Sequence, residues 1–247
     1  VNNFRSIYGS TPPVVKNLII LNVLFYLATA VLGKSFGVDL TRILALYYPL
    51  AEHFQPYQFI THMFMHGSLG HLFFNMFALW MFGRVLESVW GGKRFFIFYF
   101  VTGLGAAAFY TFVHWIEFTS LKNQLSSEQV QMVMQNGAGI LQQMQNYSNP
   151  QMGKLNILLN VPVLGASGAV FGVLLGFGML FPNTQLMLLF PPIPIKAKYF
   201  VVIYGILELV LAFAQQGSNV AHFAHLGGMI FGYILIKLWK KDRTHFY

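Results

Sequence analysis

Apolar residues in this chain occur in long runs with no polar face, not in strand-like alternation. Six runs can be drawn, at about 14–33, 59–82, 95–115, 162–181, 197–214 and 220–239. Each approaches the ~20 residues a helix needs to cross a hydrocarbon core. All six read as helices, because a lone strand in lipid leaves its backbone groups unsatisfied. The pattern predicts an all-α, polytopic membrane protein with a bundle of six transmembrane helices. It forms a single domain over residues 1–247, with its core at about 14–239. There is no internal repeat and no shift of composition that marks a second domain.

Two connections carry patterns of their own. The first, about 34–57, has Leu40, Ile43, Leu44, Tyr47 and Tyr48 at helical spacing, a segment expected to lie at the membrane interface. The longer one, about 116–160, contains Ser126 followed by Gln129, the signature of a capping box. Val130, Val133, Met134, Gly137, Ile140, Leu141 and Met144 then form one apolar stripe opposite Gln and Asn. This predicts an amphipathic helix resting on the outer leaflet or on the protein itself.

Composition sharpens the membrane reading. The chain is 56% hydrophobic and only 9% charged, where soluble domains carry roughly a quarter charged residues. Mean hydropathy is +0.57. A net charge of +8 suggests nucleic acid only in isolation. The basic residues flank apolar runs, so topology accounts for them and no nucleic-acid partner is expected. Eleven of the 15 lie in the N-terminal arm, the second-to-third and fourth-to-fifth connections and the C-terminal tail; only Lys34, Arg42, Lys122 and Lys154 fall opposite. Both termini are therefore expected to be cytoplasmic, and the setting is expected to be a bacterial cytoplasmic membrane. With no cysteine there is no disulfide framework and no thiolate chemistry. Val1–Ser10 is polar and does not read as a cleavable signal peptide.

That orientation starts the fourth and sixth runs on the outer side, and each carries a residue suited to chemistry. Ser167 sits between Gly165 and Gly168, with Gly168, Gly172 and Gly176 at four-residue spacing. His225, Gly228 and Gly232 fall at i, i+3 and i+7, again on one face. In a membrane such stripes let helices approach backbone to backbone. Ser167 and His225 each lie about five residues into their runs, so at ~1.5 Å rise both reach a depth of roughly 7–9 Å. They are a candidate nucleophile and general base. His222, one turn earlier, competes as base, but its positions +3 and +7 are His225 and Met229 instead of glycines.

His71 and Asn75, at i and i+4 in the second run, share a face and are candidates to hold an oxyanion. Their alternative role is to hydrogen-bond neighbouring helices. His62 and His66 read as structural, bonding loop backbone. Zinc is the rival use for histidines, but the spacing His-Glu-x-x-His is absent, so neither a metal nor another cofactor is expected. Phe171 shares the face of Ser167 and is placed either to pack flat on the His225 imidazole or to serve as plain core or lipid contact. Glu208 interrupts the fifth run; a neutral structural residue and a residue of a wet cavity fit it equally.

Together these residues resemble the rhomboid family of intramembrane serine proteases. Gly165-Ala166-Ser167-Gly168 is similar to the family's GxSG motif, Ala224-His225 with Gly228 and Gly232 to AHxxGxxxG, and His71 with Asn75 to HxxxN. The likeness covers about 59–94 and 162–239. It implies a rhomboid-like six-helix core, a Ser167–His225 dyad without an acidic third member, and an oxyanion hole of His71, Asn75 and the Ser167 backbone N–H. It also implies a wet cavity open outward, a cap at Gln215–Asn219, and cleavage of single-span membrane proteins near helix-breaking sites with small residues. Two features depart from the family. No Trp-Arg pair occurs around Tyr57-Gln58, and the 116–160 connection is longer than in compact bacterial members. The rivals are a rhomboid-like pseudoprotease, disfavoured because serine and histidine are both present, and a transporter using His71, Asn75 and Glu208, which leaves Gly-Ala-Ser-Gly unexplained.

Overall fold

The computed structural model describes residues 11–187, 192–214 and 220–242. The first run becomes α1 (Pro13–Phe36), opened by proline at its first position and closed by Gly37 at φ 66°. Its outer positions, including Leu24, Leu27 and Val31, are exposed apolar side chains. Its start is held from afar: the buried Glu87 carboxylate accepts from Val14 N at 2.9 Å and Val15 N at 2.8 Å.

The second run is displaced from its expected span of 59–82. Its first part is a short helix α3 (Gln58–Thr61), following α2 (Leu40–Leu44), and a 3-10 turn at His62–Phe64. A new start then occurs at Leu69, where the Ser68 hydroxyl accepts from His71 N and caps α4 (Leu69–Ala78). A π-helical turn, Leu79–Gly83, leads into α5 (Arg84–Trp90). The apolar helix is thus Leu69–Trp90. It accommodates Arg84 and Glu87 because the guanidinium lies 4.2 Å from the Trp80 ring and Glu87 caps α1.

The third run lies inside α6 (Gly92–Gln124), 33 residues or about 50 Å long. Its far end packs on α7 (Ser127–Gln142) and on α8 (Pro150–Asn160), a helix absent from the expected set. Pro150 stands at the first position of α8, and the Asn149 side chain caps it by accepting from Gln151 N and Met152 N. The capping box of Ser126 and Gln129 is present, and α7 rests on protein, through Val130 and Val133 against Leu155, Leu159 and Phe118. The stripe is narrower than expected. Met134 is half-exposed, and Met144, beyond the helix end at φ 56°, is almost fully so.

The first connection also departs from the pattern. Tyr47 and Tyr48 follow α2 on non-helical backbone and are buried, not laid along an interface. Leu46 and Val163 exchange two backbone hydrogen bonds of 2.9 Å. Gln58, wholly buried, anchors this segment: its Nε2 donates to the Ile43 and His53 carbonyls and its Oε1 accepts from Tyr47 N.

The remaining elements are α9 (Ser167–Leu180), a hairpin of β1 (Gln185–Met187) and β2 (Pro194–Lys196), α10 (Ala197–Ala214) and α11 (Val220–Asp242). The hairpin pairs Gln185 with Lys196, Leu186 with Ile195 and Met187 with Pro194, a small antiparallel addition to an otherwise helical fold. The helix in the expected span 162–181 is only 14 residues, because Gly165 takes φ 125° and the chain from Val161 to Ala166 is not helical. Among the described residues, α1, the α4–α5 helix and α6 are long and apolar enough to cross a membrane. The fold is all-α and polytopic in character. The expected cap, Gln215–Asn219, lies outside the described residues.

α9 sits among α6, α10 and α11. Its glycine stripe meets the stripe of α11 backbone to backbone, as the two patterns suggested, and also receives α6 on its Cβ side. A Cβ on Gly168 would stand 2.5 Å from Ala106 Cβ, and one on Gly172 2.5 Å from Thr102 Cβ, so this face receives α6. The α11 stripe packs on the α9 backbone at the same two glycines: a Cβ on Gly228 would run into the Gly168 carbonyl, and one on Gly232 would lie 3.4 Å from Gly172 Cα. Below these contacts, Leu79, Leu86, Phe95, Phe98, Tyr99, Val173 and Phe177 form the core.

Candidate active site

The loop before Ser167 is fixed from two sides. Val163 is bridged to Leu46, and Gly165 N donates to the His62 carbonyl at 2.9 Å. His62 is held in turn by its Nδ1, 2.8 Å from the Gln58 carbonyl, so that nitrogen carries the proton. Gly165 has no alternative residue. Its φ of 125° strains any L side chain, and a Cβ there would lie 2.8 Å from His71 Nε2. The backbone thereby passes tight against the His71 ring.

Ser167 is the first residue of α9. The earliest N–H groups of a helix have no internal acceptor, and the helix dipole makes that end positive. Ser167, His71 and His225 line one cavity of about 110 Å³, together with His62, Gly165 and Ala224. Its size admits water. The Ser167 hydroxyl has no hydrogen-bond partner among the described residues, and contacts between a nucleophile and its base are often long before ligand binds.

His225 is held on two sides. Phe171 lies flat on its imidazole, with centroids 4.1 Å apart and planes 8° from parallel. Its Nδ1 is 2.9 Å from Glu208 Oε2 on α10. His222 Nδ1 approaches the same oxygen at 2.6 Å, but His222 does not line the cavity. Asn75, buried one turn beyond His71, donates its Nδ2 to the His71 carbonyl at 3.0 Å and is likewise outside the cavity lining. His66 is buried edge-on against His71, at 5.0 Å between centroids; neither of its ring nitrogens has a hydrogen-bond partner among the described residues. The structure therefore brings Ser167, His71, His225, Phe171 and Gly165 together, and sets Asn75 a turn away.

Glu208, His222 and His225 offer three ligand atoms within 4.8 Å of one another. Two ligands on one tetrahedral zinc stand about 3.3 Å apart, given bonds of about 2.0–2.1 Å. The N···O distances of 2.6 and 2.9 Å are those of charge-assisted hydrogen bonds instead. Sequence reasoning singled out Glu208 without its partners. The usable signal was a carboxylate inside an apolar run, which is tolerated only with a partner facing the bundle interior. Gln58 and Glu87 were missed altogether, because a buried polar residue outside a motif has no periodic signature.

A family model for the Rhomboid domain matches residues 53–241. The chain is 26% identical to "Rhomboid protein 1, mitochondrial" of Saccharomyces cerevisiae over 73% of this chain and 42% of that protein. It is 29% identical to "RHOMBOID-like protein 12, mitochondrial" of Arabidopsis thaliana, over 76% of this chain and 47% of the relative. With "Rhomboid-like protease 3" of Toxoplasma gondii the identity is 24%, over 90% and 68% respectively. The chain spans less than half the length of the first two relatives. The matched region runs from ahead of α3 almost to the end of α11 and includes every cavity-lining residue, so this chain belongs to the rhomboid family.

Proposed function

We propose that this protein is an intramembrane serine endopeptidase, a single domain crossing the membrane six times. Ser167 is the nucleophile, His225 the general base, and the oxyanion is held by the Ser167 N–H, His71 and Asn75. The observation that carries this reading is one cavity lined by Ser167, His71 and His225, with the serine at a helix N-terminus. Family membership supports it independently. The three membrane-length helices support the membrane setting, and α9, α10 and α11 supply the other three crossings in this reading.

The chemistry follows from these positions. Ser167 Oγ adds to the carbonyl carbon of a substrate peptide while its proton passes to His225 Nε2. The carbonyl oxygen takes up the negative charge and meets the N–H groups at the start of α9, with the His71 ring beside them. Collapse of this intermediate breaks the C–N bond, and His225 returns the proton to the departing amine. Water then adds to the acyl-serine, again with His225 as base, and releases the acid and the free serine. Buried peptide bonds meet no water in lipid, so a polar cavity is a requirement of hydrolysis there. Substrates in this reading are single-span membrane proteins, cut where small residues let a helix unwind into the cavity.

Ser167→Ala is the direct test. A fluorophosphonate probe is expected to label the wild-type chain, and a fluorogenic single-span peptide in liposomes to be cleaved by it. The variant is expected to lose both with unchanged melting in detergent. Cleavage by Ser167→Ala at the wild-type rate would end the serine-peptidase reading.

A further inference from the structure

Glu208 lies in the middle of α10 among side chains that face outward and are apolar, such as Val202, Ile206, Leu209 and Val210. It is 6% exposed. A buried carboxylate in such a helix is retained only with partners, and its partners are two imidazoles. Its Oε2 accepts from His222 Nδ1 and from His225 Nδ1. An ionised carboxylate only accepts, so each Nδ1 is the donor. A neutral histidine with its proton on Nδ1 has a lone pair on Nε2. That is the state a general base must occupy, and the opposite tautomer would present an N–H to the serine instead.

We infer that Glu208 is a positioning residue for the base. Its carboxylate fixes the His225 tautomer and ring orientation, and it faces the imidazolium that forms when Ser167 gives up its proton. This rests on the serine-peptidase reading and adds to it an acidic third member, which the family resemblance does not imply. The carboxylate works with Phe171, which sets the plane of the ring, while the hydrogen bond at Nδ1 sets its rotation within that plane. His222 donates to the same oxygen from one turn away and holds the carboxylate in place.

The test uses the full chain in detergent and in liposomes, with the fluorophosphonate probe and the single-span peptide. Wild-type labelling that disappears in Ser167→Ala first establishes the underlying reading; its absence would sink that reading and not this one alone. Glu208→Gln keeps the shape but not the charge. It is expected to lower kcat and the labelling rate by about 10²-fold or more, as loss of a tautomer-fixing carboxylate does elsewhere, with KM changed by less than about threefold. Glu208→Gln that folds, labels and turns over like the wild type would overturn the inference while leaving Ser167 in place. If Glu208→Gln does not fold, the wild type decides. In ¹⁵N-histidine-labelled protein, the His225 resonances (assigned by their loss in His225→Gln) are expected to show a protonated Nδ1 and an unprotonated Nε2. The reverse tautomer overturns the inference. So does loss of wild-type labelling on adding a chelator with recovery on adding Zn²⁺, which would make the three side chains a metal site.

Discussion

Gly165 condenses the problem of this site into one position. Its N–H is fixed to the His62 carbonyl, its φ is 125°, and the His71 ring occupies the space a Cβ would need. Gly165→Ala is expected to push the His71 ring away from the serine. The observable is a fall in fluorophosphonate labelling of about tenfold or more, with a stability loss of about 1–3 kcal/mol from the strained backbone. Labelling at the wild-type rate would show that the loop accommodates the methyl and that the His71 position is not set here. At this scale the sequence was highly legible. Ser167 and His225 were marked by their glycine spacing and His71 by its i, i+4 pairing with Asn75, and the structure sets Ser167, His225 and His71 around one cavity. What spacing does not reveal is a partner across helices. Glu208 and His225 are 17 residues apart on different elements, and no periodicity links them.

Helix boundaries follow a different logic. Apolar runs locate lipid-compatible stretches, but starts and stops are decided by single caps. The expected span 59–82 began too early because Ser68, not the first apolar residue, opens the helix. α8 was invisible as an apolar run because it packs on α7 and the end of α6, through only part of its surface. The start of α1 is another such case. Two of its free N–H groups are satisfied by Glu87, 72 and 73 residues away. Removing an acceptor that serves buried donors costs about 1–3 kcal/mol. Glu87→Ala is therefore expected to lower the melting temperature in detergent by about 5 °C. Because Glu87 does not line the cavity, kcat at low temperature is expected to stay within about twofold of the wild type. Unchanged melting would mean that water replaces the carboxylate at the helix start.

For the molecule as a whole, the open quantity is its orientation, and both ends carry a signature. At one end cations lie over aromatic rings: Arg94 is 5.8 Å from the Trp239 ring and Lys237 Nζ 5.3 Å from that of Tyr233, while Trp90 packs edge-on against Trp239. Aromatic and basic residues of this kind gather at membrane interfaces, with the basic excess on the cytoplasmic side. The other end carries α7 and α8 on the extension of α6, rich in Gln and Asn and with few cations. Orientation decides which compartment the cavity drains to, since the loop leading to Ser167 continues directly from α8. The chain has no cysteine, so single cysteines report sidedness without background. Both Gln143 and Lys240 are exposed. In intact cells, Gln143→Cys is expected to react with a membrane-impermeant maleimide, and Lys240→Cys only after permeabilisation. The reverse pattern would turn the bundle over and open the Ser167 cavity toward the cytoplasm. The charge argument would then fail even if the chemistry of the site stood.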